Sequence, residues 1–276
     1  MNQLKFLETI CSFPAVSGNE ADLVKWLYQQ LKPFSDKIFI DQIGNLICYK
    51  GKDYQKICAF AHIDKIGFML SKPAEAVGLT AEVESKLPSG KPIDAIIDGF
   101  YISYQPNFKV GKKGINSQGL DNALGVVAAI EWFKQVKTGS LALTVQEEMK
   151  GAGAMVAAKT IKPKKALIID TTYADDPKSA VKHGGGASFC LKDDFLSDKT
   201  MFGQAAKLCQ YLKLNYQLEI LTSGDSDIAG VYQGYGWVPH LFVGIPISGM
   251  HTYREKVLIG DWQTAIKFLE VYAKNY

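Results

Sequence analysis

Apolar positions recur along this chain with two different periods. Leu4, Leu7 and Cys11 fall at helical spacing, as do Leu23, Leu27 and Leu31, and later Trp262, Ala265, Ile266, Leu269 and Ala273. A recurrence near 3.6 residues predicts amphipathic helices with one face on a core. Between them stand short unbroken apolar runs: ICAFAH (57–62), LALTV (141–145), ALIID (166–170), LEIL (218–221) and LFVGIP (241–246). Such runs, too short for helices and rich in β-branched residues, read as strands buried on both faces. Their alternation with helical patterns predicts an α/β fold in three layers, a sheet with helices on both faces. From residue 71 to 114 the pattern changes to short β-like pieces, LTAEVES (79–85) and DAIIDGFYISY (94–104), broken by Pro73, Pro88, Gly90 and Pro92. The expected organisation is a main domain of residues 1–70 and 115–276 interrupted by a small β-rich inserted segment, 71–114.

Composition narrows the function classes. Hydrophobic residues make up 47% of the 276, enough for a sizeable core. Lys and Arg number 31 against 28 Asp and Glu with no dense basic run, so no nucleic-acid partner is expected. No apolar stretch approaches the length of a membrane span. The first residues, MNQLKFLETICSF, carry Glu8 where a signal peptide would be apolar, and read as a helix instead. Cys11, Cys48, Cys58, Cys190 and Cys209 are scattered, odd in number and without a CxxC pair. Reduced thiols in a cytoplasmic protein are expected from that pattern.

Candidate chemistry gathers where the apolar runs end. The run 57–62 delivers His62 and Asp64, the run 141–145 leads into Glu147 and Glu148, and the run 166–170 delivers Asp170. Ligand-binding groups in open α/β sheets collect at the carboxyl ends of strands, so these side chains are expected to meet. Asp121 precedes a nearly all-apolar helix, where an N-cap is the alternative reading; His251 follows the last core run, where a surface imidazole is the alternative. Two imidazoles and several carboxylates suit a pair of divalent ions such as Zn, Co or Mn. In the His-x-Asp spacing, Asp64 can orient His62 through its second ring nitrogen. His183, beside Gly184-Gly185-Gly186, and His240 are read as structural or surface residues. A phosphate cradle at the glycines lacks its Lys-Ser/Thr ending.

With these pieces in place the sequence resembles the glutamyl and tetrahedral aminopeptidase family of dinuclear metallopeptidases, some of whose members carry an endoglucanase label. The matching pieces are SGNE (17–20), DQIGN (41–45), AHIDKIGF (61–68), LDNALG (120–125), QEEMKGAGA (146–154), IDTTYADDP (169–177), SDIAG (226–230) and MHTYRE (250–255). The resemblance implies a zinc-aminopeptidase-like fold and removal of N-terminal residues from peptides with a free N-terminus. It implies that His62 and Asp170 hold one metal ion, Glu148 and His251 the other, and that Asp121 bridges them. It further implies Glu147 as the general base that activates a metal-bridging water, and Asp64 as the acid that orients His62.

Several positions depart from the family pattern. Ala123 and Ala152 stand where the family has Arg, Lys65 where it has Glu, and Ser248-Gly249 where it has Arg-Tyr before Met-His. The inserted segment is also shorter than the family's dimerisation domain, and a monomer or homodimer is therefore expected in place of a large shell. Alternative functions are a metal-dependent deacylase or carboxypeptidase-like hydrolase, which would need an arginine for a substrate carboxylate, and a catalytically silent scaffold. A glycosidase using Glu147 and Glu148 is disfavoured, because its carboxyls must flank a sugar from opposite sides.

Overall fold

The computed structural model describes residues 2–72, 75–78, 94–177, 179–221 and 226–276. The piece LTAEVES lies outside the described residues. Helices α1 (Gln3–Ser12) and α2 (Ala21–Leu31) come first, followed by strands β1 (Lys37–Ile40), β2 (Leu46–Lys50) and β3 (Cys58–His62). A second group of strands runs β4 (Phe68–Lys72), β5 (Glu75–Gly78), β6 (Ala95–Asp98) and β7 (Tyr101–Tyr104). Then come β8 (Lys109–Val110), β9 (Gly114–Ser117), α3 (Leu120–Gln135), β10 (Gly139–Thr144), α4 (Ala152–Ile161) and β11 (Ala166–Tyr173). The chain closes with β12 (Ala187–Lys192), α5 (Lys199–Leu212), β13 (Tyr216–Ile220), α6 (Asp227–Tyr235), β14 (His240–Ser248), β15 (Glu255–Leu258) and α7 (Ile259–Tyr272).

An 11-stranded mixed sheet forms the middle layer, in the order β1-β2-β10-β3-β11-β14-β15-β9-β8, with β12 added on β14 and β13 on β12. Its centre, β10-β3-β11-β14, is parallel, which aligns the carboxyl ends of these strands on one side. Alternate residues of each strand serve opposite faces. Ala59, Leu141, Leu143, Leu167, Ile169, Leu241 and Val243 pack beneath α1, α2, α3, α5 and α7. Phe60, Ala142, Ile168 and Phe242 pack beneath α4 and α6. The central strands are buried throughout, as their unbroken apolar runs require.

A separate four-stranded sheet, β5-β4-β7-β6, is built from the second group of strands. Its ends differ slightly from the expected 71 and 114: β4 begins at Phe68, and β8 and β9 hydrogen-bond into the main sheet instead. Phe100, in the turn joining β6 to β7, is 72% exposed, and Ile97, near the end of β6, is 66% exposed.

Candidate metal centre

His62 is the last residue of β3, and the parallel register sets it beside Thr144, the last of β10. Beyond Thr144 the chain leaves the sheet, and Gln146 takes a left-handed backbone (φ 55°) that turns both glutamates to one side. A regular strand would have sent Glu147 and Glu148 to opposite faces. Asp64 fixes this turn: its carboxylate accepts the backbone N–H of Glu147 (3.0 Å) and of Glu148 (3.2 Å) and the hydroxyl of Ser17 (2.6 Å). The same carboxylate lies 3.5 Å from His62 Nδ1.

All seven residues singled out from the sequence are brought together. His62 Nε2 lies 3.4 Å from Asp121 Oδ1, 3.4 Å from Asp170 Oδ1 and 4.0 Å from Glu147 Oε2. His251 Nε2 lies 3.3 Å from Asp121 Oδ2 and 3.6 Å from Glu148 Oε2. The two oxygens of Asp121 thus face two different histidines. Asp170 sits within β11, which continues to Tyr173, beyond the apolar run that marked it.

Burial and crowding shift the protonation of these groups. Burial raises Glu147 well above the usual carboxylate range, with Asp170, Asp227 and Asp64 adding to it. Burial also raises Glu148, together with Asp121 and Glu147. For His62, burial alone would lower the imidazole, but Asp170, Glu147 and Asp121 outweigh it and the net shift is upward. Asp121 moves the other way: burial opposes ionisation, and the imidazoles of His251 and His62 hold the carboxylate charged.

The donor set fits a divalent cation. One ligand atom each from His62, Asp121 and Glu148 lie within 4.8 Å of one another. Glu148 Oε1 is buried with no hydrogen-bond partner. A buried carboxylate oxygen without a donor is costly unless a cation faces it. Metal ligation would also relieve the mutual repulsion that raises Glu147 and Glu148.

Supporting residues that carried no role in the sequence reading surround this centre. Asn45 accepts the N–H of Val145 (2.9 Å) and donates to the carbonyl of Gly153 (2.9 Å), bracing the glutamate turn from both ends. Glu20 accepts the N–H of Gln146 (3.2 Å), and burial pushes its carboxyl up to about 7. Asp227, likewise pushed up to about 7 by burial, accepts the Thr144 hydroxyl (2.7 Å). Glu255 binds the backbone of both Asp121 and His251 (3.2 Å each).

Of the positions that depart from the family pattern, Lys65 and Ser248-Gly249 have local partners, and nothing in the structure explains Ala123 or Ala152. Lys65 is buried and donates to the carbonyls of Ile10 (3.0 Å), Cys11 (3.1 Å) and Phe13 (2.8 Å), closing the C-terminal end of α1. Gly249 has φ 71°, and a Cβ there would come 2.7 Å from the Arg254 carbonyl oxygen, so the turn before His251 demands glycine. Ser248 Oγ pairs with His183 Nε2 (3.1 Å). The glycines 184–186 hold no phosphate cradle: Gly184 and Gly186 give their N–H groups to Asp261 (2.8 and 2.9 Å). His240 pairs with the Tyr232 hydroxyl (3.1 Å).

Comparison with known proteins places this geometry. The M42 glutamyl aminopeptidase family matches residues 94–268, more than half of the chain. A putative aminopeptidase of Acetivibrio thermocellus is 26% identical across 95% of this chain and 96% of its own. The Pyrococcus horikoshii TET1 peptidase superposes with a TM-score of 0.86 at 20% identity, covering 100% of both chains. A Thermotoga maritima protein named endoglucanase gives 0.79 at 19% identity, covering 98% of this chain and 97% of its own.

The expectation of a monomer or homodimer is overturned by these neighbours, because the TET1 peptidase assembles into a tetrahedron or a large octahedral shell. A short insertion is no physical bar to such a shell. The four-stranded sheet displays Ile97 and Phe100 to the outside, and the whole chain shares its fold with the TET1 peptidase. An interface of about 800 Å² per partner does not need a full-length inserted domain. Among the described residues no helix is long and apolar enough to cross a membrane. The chain belongs to the M42 glutamyl aminopeptidase family and is a metal-dependent aminopeptidase.

Proposed function

We propose that the centre binds two divalent ions, Zn or Co with Mn as a third option, and releases N-terminal residues from peptides. The observation that carries this reading is Asp121, whose Oδ1 faces His62 and whose Oδ2 faces His251. His62 and Asp170 would hold one ion, Glu148 and His251 the other, and Asp121 would serve both. Divalent ions held by these residues would lower the pKa of a bound water to about 7 and polarise the scissile carbonyl. Glu147, which faces His62 at 4.0 Å and is raised by burial, accepts the water proton and passes it to the leaving amine. Asp64 keeps Glu147 and Glu148 in place through their backbone N–H groups and orients His62. A free α-amine would ligate one of the ions or pair with a nearby carboxylate, which would confine cleavage to the first residue.

The same reading extends to the whole particle. Residues 1–70 and 115–276 form the catalytic domain and 71–114 the inserted segment, with the sheet itself spanning Phe68 to Tyr104. Several copies assemble into a closed or partly closed particle, as the TET1 peptidase does. All five cysteines are free and buried, the state a reducing cytoplasm maintains. Metal analysis of purified protein after loading with Co or Zn tests the proposal. Two ions per chain, with release of amino acids from aminoacyl substrates, is the expected result; a single ion per active chain overturns it.

A further inference from the structure

His251 is held in an unfavourable backbone conformation. Its φ of 62° is left-handed, a region that is costly for a non-glycine residue and persists only when the surroundings fix it. The turn around it is tight: the Thr252 backbone N–H and hydroxyl both donate to the Gly249 carbonyl, at 3.1 and 2.7 Å. Within this turn the His251 N–H points inward and donates to Glu255 Oε1 (3.2 Å).

The other oxygen of Glu255 serves a different segment. Oε2 accepts the N–H of Leu120 (2.7 Å) and of Asp121 (3.2 Å). Glu255 is itself anchored by pairing with Ser117 in the main sheet, and its side chain is 1% exposed. One rigid carboxylate therefore ties together the backbones of two proposed ligands, Asp121 and His251, which lie far apart in sequence. Neither Asp64 nor Asn45 reaches the His251 turn.

We infer that Glu255 is a positioning residue for one half of the centre: it holds His251 in its left-handed turn at a fixed distance from Asp121, and so sets the affinity of the ion between His251 and Glu148. This inference rests on the dinuclear reading. Groups that orient metal ligands typically change metal affinity by about 10-fold to 100-fold when altered. Replacement of Glu255 affects the two ions unequally, because His62 and Asp170 receive nothing from it.

The test is a Co²⁺ titration of metal-free protein followed by visible absorption, comparing wild type, Glu255→Gln and His251→Ala. Gln retains the size of Glu but turns one acceptor into a donor, so at least one of the three bound N–H groups loses its partner, the His251 N–H when the amide oxygen keeps the two bonds of Oε2. Expected in Glu255→Gln is that the ion lost in His251→Ala binds about 10-fold to 100-fold more weakly, with a smaller change in the other ion, which Glu255 reaches only through the shared Asp121. Equal weakening of both ions shows a merely structural role, and two unchanged ions show no role; either overturns the inference. Wild type that binds a single ion removes the dinuclear reading, and the inference with it. Should Glu255→Gln fail to fold, Glu255→Asp, which keeps the carboxyl group but is too short to reach both segments, carries the same measurement.

Discussion

Asn122 caps the regular turns of α3, which begin after the non-helical Asp121 and Asn122, and leaves Asp121 free to face the histidines. Asn122 Oδ1 accepts the N–H of Gly125 (3.0 Å), the bond an N-cap makes. Asp121 has extended backbone angles (φ −77°, ψ 114°) and accepts from the Thr171 hydroxyl (2.8 Å). The capping explanation of Asp121 therefore fails on geometry. Asp121→Asn is expected to fold normally, since the cap belongs to Asn122, and to lose metal, which mass spectrometry of the purified variant measures. Two tightly held ions with full activity in that variant would show that the shared carboxylate is not needed.

Glu147 and Glu148 are expected to separate by phenotype. Glu147→Gln lowers turnover by about 100-fold to 10,000-fold, the range for loss of a general base, with little change in metal content. Glu148→Gln, by contrast, loses an ion. Side-by-side turnover and metal measurements decide the matter, and an exchange of the two phenotypes would reverse the assigned roles.

His240 gives the fold a pH dependence independent of the metal centre. Burial pushes its imidazole down to about 4, from an ordinary value of 6.5. The unfolded chain therefore takes up a proton that the folded chain refuses between those values. Its contribution is fully present above about pH 6.5 and is lost as pH falls towards 4. A shift of this size corresponds to about 3 kcal/mol at most. His240→Phe is expected to flatten the fall in stability of metal-free protein between pH 7 and 4.5, followed by urea unfolding. Identical slopes in variant and wild type would remove His240 as the cause.

Much of the proposed centre is legible in the sequence because several of its proposed ligands sit where apolar runs stop. Strand β3 ends on His62, and the run 141–145 leads straight into the glutamate turn. The supports of the centre leave no such trace. Asn45, Glu20 and Glu255 act by accepting backbone N–H groups from residues 100, 126 and 135 positions away, and no spacing records such a bond. The hairpin β1–β2 is also silent in the pattern, since Lys37–Ile40 is only partly buried and its apolar signal is short. Asp121 is ambiguous in sequence because Asp and Asn cap equally well, and two such residues stand side by side.

Assembly is expected to exceed a dimer. Light scattering at working concentration should give a multi-subunit particle, with the exposed Ile97 of β6 and Phe100 of the β6–β7 turn among its contacts. Ile97→Lys with Phe100→Glu should then shift the protein to smaller species. A particle of unchanged size would place the contacts elsewhere.

The most direct measurement of the central claim uses one peptide in two forms. Metal-loaded protein is given a short peptide with a free N-terminus and the same peptide N-acetylated, and products are followed by mass spectrometry. Stepwise loss of the N-terminal residue from the free form alone, abolished by a chelator and restored by Zn or Co, is the predicted result. Equal cleavage of both forms, or cleavage that survives complete removal of metal, would contradict the account.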